Sequence, residues 1–183
     1  MRLFVGIALS SDVIRALEQL SSSLRTPNDV LRWSSLDTWH ITLQFLGETS
    51  VEQYPCIVSR LAEIHTPEAP IQLSGTGIFD RAGVFWAGVT VSPELQLLEE
   101  AVRAATSGCG FMSEDRPYHP HVTLARAKGD DRVRVLRRLQ SRVKQQVEFP
   151  TFTAAEFLLY ESFLGPGGAR HEVRERFQLG RAQ

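Results

Sequence analysis

His40-Ile41-Thr42-Leu43 and His121-Val122-Thr123-Leu124 repeat one pattern: an imidazole, a β-branched residue, a hydroxyl and a leucine. Histidine is the side chain that changes charge near neutral pH, and a threonine hydroxyl can donate a hydrogen bond to an oxyanion. In an extended strand, residues i and i+2 point to the same side. Each copy therefore shows a histidine and a threonine on one face and turns Ile41 and Leu43, or Val122 and Leu124, to the other. Two such strands facing each other bring two imidazoles and two hydroxyls into one small volume. One ring can take a proton while the other gives one, which is what displacement at a phosphorus centre requires. A single His-x-Thr says little, because threonine favours strands and a lone histidine is usually structural. The second copy, with the same spacing and the same following leucine, leaves a purely structural reading strained.

Positioning these residues takes strands, and the hydrophobic periodicity supplies them. Arg2 to Ala8 reads as a buried strand. Asp37 to Leu46 and His119 to Ala127 are the two motif strands. Leu31 to Trp33, Ile71 to Phe79, Val84 to Val91, Gln146 to Thr153, Glu156 to Phe163 and Glu172 to Leu179 complete the set. Asp80-Arg81-Ala82-Gly83 and Gly165-Pro166-Gly167-Gly168 are hairpin turns, and Pro27-Asn28-Asp29 is a helix break. Four helices fit between the strands. Val13 to Leu24 follows an N-cap cluster at Ser10-Ser11-Asp12, and Val51 to His65 carries Ile57, Leu61 and Ile64 as its stripe. A third is opened by Ser92-Pro93 with Leu95, Leu98, Val102 and Ala105 inward. The fourth is capped by Asp130-Asp131, with Val133, Leu136, Leu139 and Val143 inward and Arg134, Arg137, Arg138 and Arg142 outward. Hairpins among interleaved helices predict an α+β fold with mainly antiparallel sheets, not a doubly wound parallel sheet. Gly75-Thr76-Gly77 lacks the third glycine and following helix of a dinucleotide fingerprint. No stretch is a linker, so residues 1–183 read as one domain of two similar lobes, one motif in each.

Composition narrows the partners. The chain has 183 residues, a 43% hydrophobic and 22% charged composition and a formal charge of -1, which fits a globular protein and gives no strong pull toward duplex nucleic acid. A single phosphorylated end remains an adequate ligand. The only cysteines, Cys56 and Cys109, have no partner nearby in sequence and read as buried structural thiols, which favours a reducing cytoplasm. No apolar run is long enough to span a membrane. His119 and His121 have a spacing a metal could use, but no third ligand stands out, and His119 reads as a rim or structural residue.

At this point the chain resembles the two-histidine phosphoesterase superfamily, and within it the RNA 2',3'-cyclic phosphodiesterases, also called the 2'-5' RNA ligase family. The matching segments are Arg2-Leu3-Phe4-Val5-Gly6-Ile7, Trp39-His40-Ile41-Thr42-Leu43-Gln44-Phe45-Leu46-Gly47-Glu48 and Pro120-His121-Val122-Thr123-Leu124-Ala125-Arg126. Val84-Phe85-Trp86-Ala87-Gly88-Val89 and Leu158 to Phe163 match more weakly. Two departures fall near the end. His171 stands where the family often has tyrosine, and Phe177-Gln178-Leu179 where it often has Phe-Pro-Leu.

The resemblance implies two lobes around a cleft lined by both motifs. It implies hydrolysis of a 2',3'-cyclic phosphate on an RNA end or nucleotide to a 2'-phosphomonoester, with His121 as base and His40 as acid. Thr42 and Thr123 would hold the phosphate oxygens, Arg126 would contact the phosphate and Phe45 would stack on the terminal base. Strict alternation puts Phe45 and Arg126 on the face away from their histidines, so a bulge or a strand end is needed to bring them round. No cofactor or metal is called for, since two imidazoles do the acid–base work, and a monomer suffices. Ligation is the same chemistry reversed and would be a minor activity. The competing readings are a related enzyme acting on 2'-5' linkages or a cyclic-phosphate metabolite, and a non-catalytic module that binds RNA ends.

Overall fold

A computed structural model describes residues 1–27, 30–111, 117–143, 148–165 and 168–180. Asn28-Asp29 of the proposed helix break, Gln146 at the start of a proposed strand and Pro166-Gly167 of the proposed turn lie outside the described residues. In chain order the elements are β1 (Arg2–Ala8), α1 (Ser11–Leu24), β2 (Arg32–Trp33), a 3-10 turn (Leu36–Thr38), β3 (His40–Glu48), α2 (Gln53–Ala62), β4 (Ala69–Phe79) and β5 (Val84–Val89). They continue as α3 (Pro93–Ser107), β6 (His121–Arg126), α4 (Arg132–Ser141), β7 (Thr151–Ala154), β8 (Glu156–Gly165) and β9 (Gly168–Gln178).

Two antiparallel sheets result, one ordered β3-β1-β8-β9 and the other β2-β6-β5-β4-β7. Each motif strand belongs to a different sheet, as a bilobal α+β fold requires. The first sheet curls strongly. His40 on one edge strand and His171 on the other have ring centroids only 5.1 Å apart, although two strands separate β3 from β9. Behind the sheets, one core runs through both lobes. It takes Val5 and Ile7 from β1, Ile41 and Leu43 from β3, Val122 and Leu124 from β6, and Val13, Leu17, Leu20 and Leu24 from α1.

The helices start where their caps direct. Ser10 accepts a hydrogen bond from the Val13 amide, and Ser92 from the Leu95 amide with Pro93 in the first turn. Asp131 differs: it makes no side-chain cap bond to α4, because its carboxylate pairs with Arg134 2.7 Å away. In the last turn of α3, Thr106 rather than Ala105 is buried. Its hydroxyl is satisfied there, donating to Gln44 Oε1 at 2.6 Å, with the Val102 carbonyl also 3.0 Å away.

The expectation of two free thiols is wrong. Cys56 in α2 and Cys109 just beyond α3 form a disulfide, with Cα atoms 5.9 Å apart. They are 53 residues apart in sequence, and only the packing of α2 on α3 brings them together. The thiol-based argument for a reducing compartment falls with them. Thiol titration of the unfolded, unreduced protein should find none free, and two titratable thiols would contradict the pairing. By the loop-entropy estimate, a cross-link closing 53 residues contributes up to about 4 kcal/mol, so reduction should lower the thermal midpoint.

Candidate functional site

The two imidazoles are held in the same way. His40 Nδ1 lies 2.7 Å from the Thr38 carbonyl and His121 Nδ1 2.8 Å from the His119 carbonyl. A carbonyl can only accept, so in both rings Nδ1 carries the proton and donates. Nε2 is then the nitrogen left to exchange a proton. His40 Nε2 is 3.1 Å from the Thr42 hydroxyl, the other functional group of its own motif.

β3 and β6 pack near each other, and His121 is close enough to His40 to help lower its pKa. Two side-chain bonds hold the first motif's strand, one of them from the second motif's approach. The Tyr118 hydroxyl donates to the Thr42 carbonyl at 3.2 Å, joining the approach to the second motif to the first motif's strand. Thr106 holds Gln44, two residues beyond Thr42.

Both motif strands lose register directly after the threonine. Gly6 pairs with Thr42 and Val5 with Gln44, which leaves Leu43 as an extra residue. Trp86 pairs with Thr123 and Phe85 with Ala125, which leaves Leu124 extra in the same way. An extra residue reverses the alternation beyond it. Phe45 pairs with Phe4, whose ring lies 4.5 Å from His40, so Phe45 shares the His40 face. Arg126 pairs with Val84, two residues from the partner of Thr123, so it shares the His121 face. All six residues singled out by sequence thus gather on the two walls: His40, Thr42 and Phe45 on one, His121, Thr123 and Arg126 on the other. Phe45 is 70% exposed, a free aromatic surface beside the first histidine.

Sequence reasoning missed the surroundings. His40 sits among Phe4 at 4.5 Å, His171 at 5.1 Å and Tyr160 at 5.9 Å between centroids. His121 has Phe79 at 4.9 Å, with Trp86 and His119 each 6.4 Å away. The family departure at His171 was the available signal for the first nest. His119 packs edge-on against Phe79 and Trp86 and supplies the clasping carbonyl. Among the described residues, no group of three His, Cys, Asp or Glu side chains could hold a metal. Gly6 admits β3 to its position: a Cβ there would stand 2.7 Å from the Ile41 carbonyl oxygen and 3.6 Å from His40 Cδ2.

Burial sets the electrostatics. It lowers the His40 pKa to about 4 against the raising effect of the Thr38 bond, and the charges of His171 and His121 push the same way as burial. Burial also lowers His121, opposed by the His119 carbonyl and assisted by His119 and Arg126. Both shifts favour the neutral ring at pH 7.

Comparison with known proteins bears on this arrangement. A family model described as the 2'-5' RNA ligase superfamily matches residues 7–162. The RNA 2',3'-cyclic phosphodiesterase of Aeropyrum pernix is 36% identical over 121 residues, covering 64% of this chain and 69% of its own. That of Escherichia coli is 26% identical over 185 residues, covering 97% and 96%. The crystal structure of E. coli LigT complexed with 3'-AMP has the same fold, with a TM-score of 0.81 at 26% identity over 98% of each chain.

The His40 environment has a measurable consequence. The folded state disfavours its proton, so the unfolded chain binds more protons at low pH and stability falls as pH drops from 6.5 toward 4. NMR titration should place His40 near 4, and His40→Asn should flatten the stability profile over that window. A His40 titrating at 6.5 or above contradicts the buried setting.

Proposed function

Because the chain belongs to the 2'-5' RNA ligase superfamily, we propose that it hydrolyses the terminal 2',3'-cyclic phosphate of RNA to a 2'-phosphomonoester with His40 and His121 as the acid–base pair. The observation that carries this reading is the matched clasp: two Nδ1–H groups tied to carbonyls, which leaves Nε2 of each ring to exchange a proton.

In the reaction, a water proton passes to Nε2 of His121 as the water oxygen bonds to phosphorus. The bond from phosphorus to O3' breaks, and O3' takes the proton from Nε2 of His40. Thr42 and Thr123 donate to the non-bridging oxygens as charge grows on them. Arg126 offers a fork of donors to the same phosphate, and Phe45 a face for the terminal base. His40 must hold a proton to act as the acid, and the phosphate anion beside it raises the pKa that burial lowers. Substrate binding and protonation of His40 are thereby coupled. The groups balance without a metal, and one chain supplies all of them. Ligation runs the same steps backwards.

Product analysis after incubation with cyclic-ended RNA in chelator tests the reading. A 2'-monoester is expected. No turnover, turnover only of 2'-5' linkages, or activity that disappears with the metal each contradicts it. His40→Ala and His121→Ala should each lower turnover by at least about 10²-fold. Thr42→Val and Thr123→Val should each lower kcat by about 10²-fold. One neutral and one protonated ring are needed, and both free-enzyme values lie below 6.5. The kcat/KM profile should therefore be a bell that rises from about pH 4 and declines before or near 6.5. A profile still rising above pH 7 would overturn that assignment.

A further inference from the structure

Arg32 and Arg126 stand directly opposite each other across β2 and β6. Opposed residues of an antiparallel pair leave the sheet on the same side. The neighbouring pair confirms which side. Trp33, opposite Ala125, packs its ring edge-on toward Phe85 in the core, so Arg32 points the other way, to the His121 face. Like charges in this position repel. Some arginines of the chain do have carboxylate partners, as in Arg134–Asp131, Arg137–Asp80 and Arg176–Glu156. Among the described residues, no carboxylate forms an ion pair with Arg32 or Arg126.

The Arg32 head also lies beside the other sheet. Gly168, at the start of β9, has φ +134°, and a Cβ there would lie 2.6 Å from Arg32 Nη2. The guanidinium therefore lies beside that strand, where a side chain at 168 would displace it. Three residues further along β9 is His171, 5.1 Å from His40. Arg32 therefore sits where the two sheets meet at one end of the cleft, one strand farther out than Arg126.

We propose that Arg32 is the centre of a second phosphate subsite: Arg126 serves the reacting phosphate, and Arg32, beside Gly168, takes the phosphate on the 5' side of the terminal nucleotide. The inference rests on the reading of the cleft as an RNA-end phosphodiesterase, and it makes RNA of two or more nucleotides the preferred substrate over a cyclic mononucleotide. A second phosphate anion between the two arginines relieves their repulsion and uses the fork of Arg32. The same anion could be an internucleotide diester or the 5'-phosphate of a mononucleotide.

Calorimetric titration with product-like ligands separates these sources and needs no turnover. The ligands are adenosine 2'-monophosphate, adenosine 2',5'-bisphosphate and a diadenosine ending in a 2'-phosphate. Wild type should bind the second or third about tenfold tighter than the first, and Arg32→Gln should erase that preference. Gain with both assigns the site to any 5' phosphate; gain with the dinucleotide alone assigns it to the RNA diester. Arg32→Lys should keep part of the preference, and Arg134→Gln, a change in a distant ion pair, all of it. The slope of log Kd against log salt for the dinucleotide should shrink by about 0.7 in Arg32→Gln. The proposal is overturned if wild type shows no preference for a second phosphate, or if the preference survives Arg32→Gln. Tight, Arg32-dependent binding without turnover of cyclic-ended RNA would instead defeat the phosphodiesterase reading and leave the subsite standing.

Discussion

Each motif histidine is locked to the carbonyl two residues before it. That bond fixes which nitrogen carries the permanent proton and therefore which nitrogen faces the cleft. Both histidines are the first residues of their strands, after Thr38-Trp39 and His119-Pro120. The rest follows from strand alternation. Thr42 and Thr123 come up on the same side, and the apolar residues between and after go to the core. The doubled sequence motif is a doubled geometry, with one clasp before the threonine and one bulge just after it in each motif strand.

The bulges extend the walls. A regular strand would bury Phe45 and turn Arg126 away. The extra residues Leu43 and Leu124 both remain buried, at 4% and 0% exposure, while the chain beyond them changes face. Each strand thus adds a fifth-position side chain to its histidine: an aromatic plane in one lobe, a guanidinium in the other. The lobes differ also in how their rings are surrounded. His40 is enclosed by Phe4, Tyr160 and His171, and burial pulls it down to about 4; His121 shares its face with a cation. Paired titratable groups in unlike settings are suited to opposite roles in proton transfer.

Much of this was legible in the residues. The α1 stripe of Val13, Leu17, Leu20 and Leu24 is buried at the expected spacing, and the Ser10 and Ser92 caps hold. The two motif strands follow from period-2 alternation, and setting that alternation against the family resemblance called for a bulge or a strand end at Phe45 and Arg126. What escaped depends on contacts between distant segments. The Cys56–Cys109 bond is made by helix packing, not by local spacing. Asp131 looked like a cap, but an arginine one turn on claims its carboxylate. His171 joins His40 because the first sheet curls until its edges meet, and curl leaves no mark in a single strand's pattern.

The central claim is that both Nε2 atoms address one phosphorus from opposite sides. A crystal structure with a nucleoside 2',3'-cyclic vanadate, a five-coordinate stand-in for the reacting phosphate, tests it directly. Nε2 of His40 and of His121 should each lie at hydrogen-bond distance, roughly 2.6–3.2 Å, from the two opposed apical oxygens. One imidazole alone in contact, or both on the same side of the metal, would contradict it.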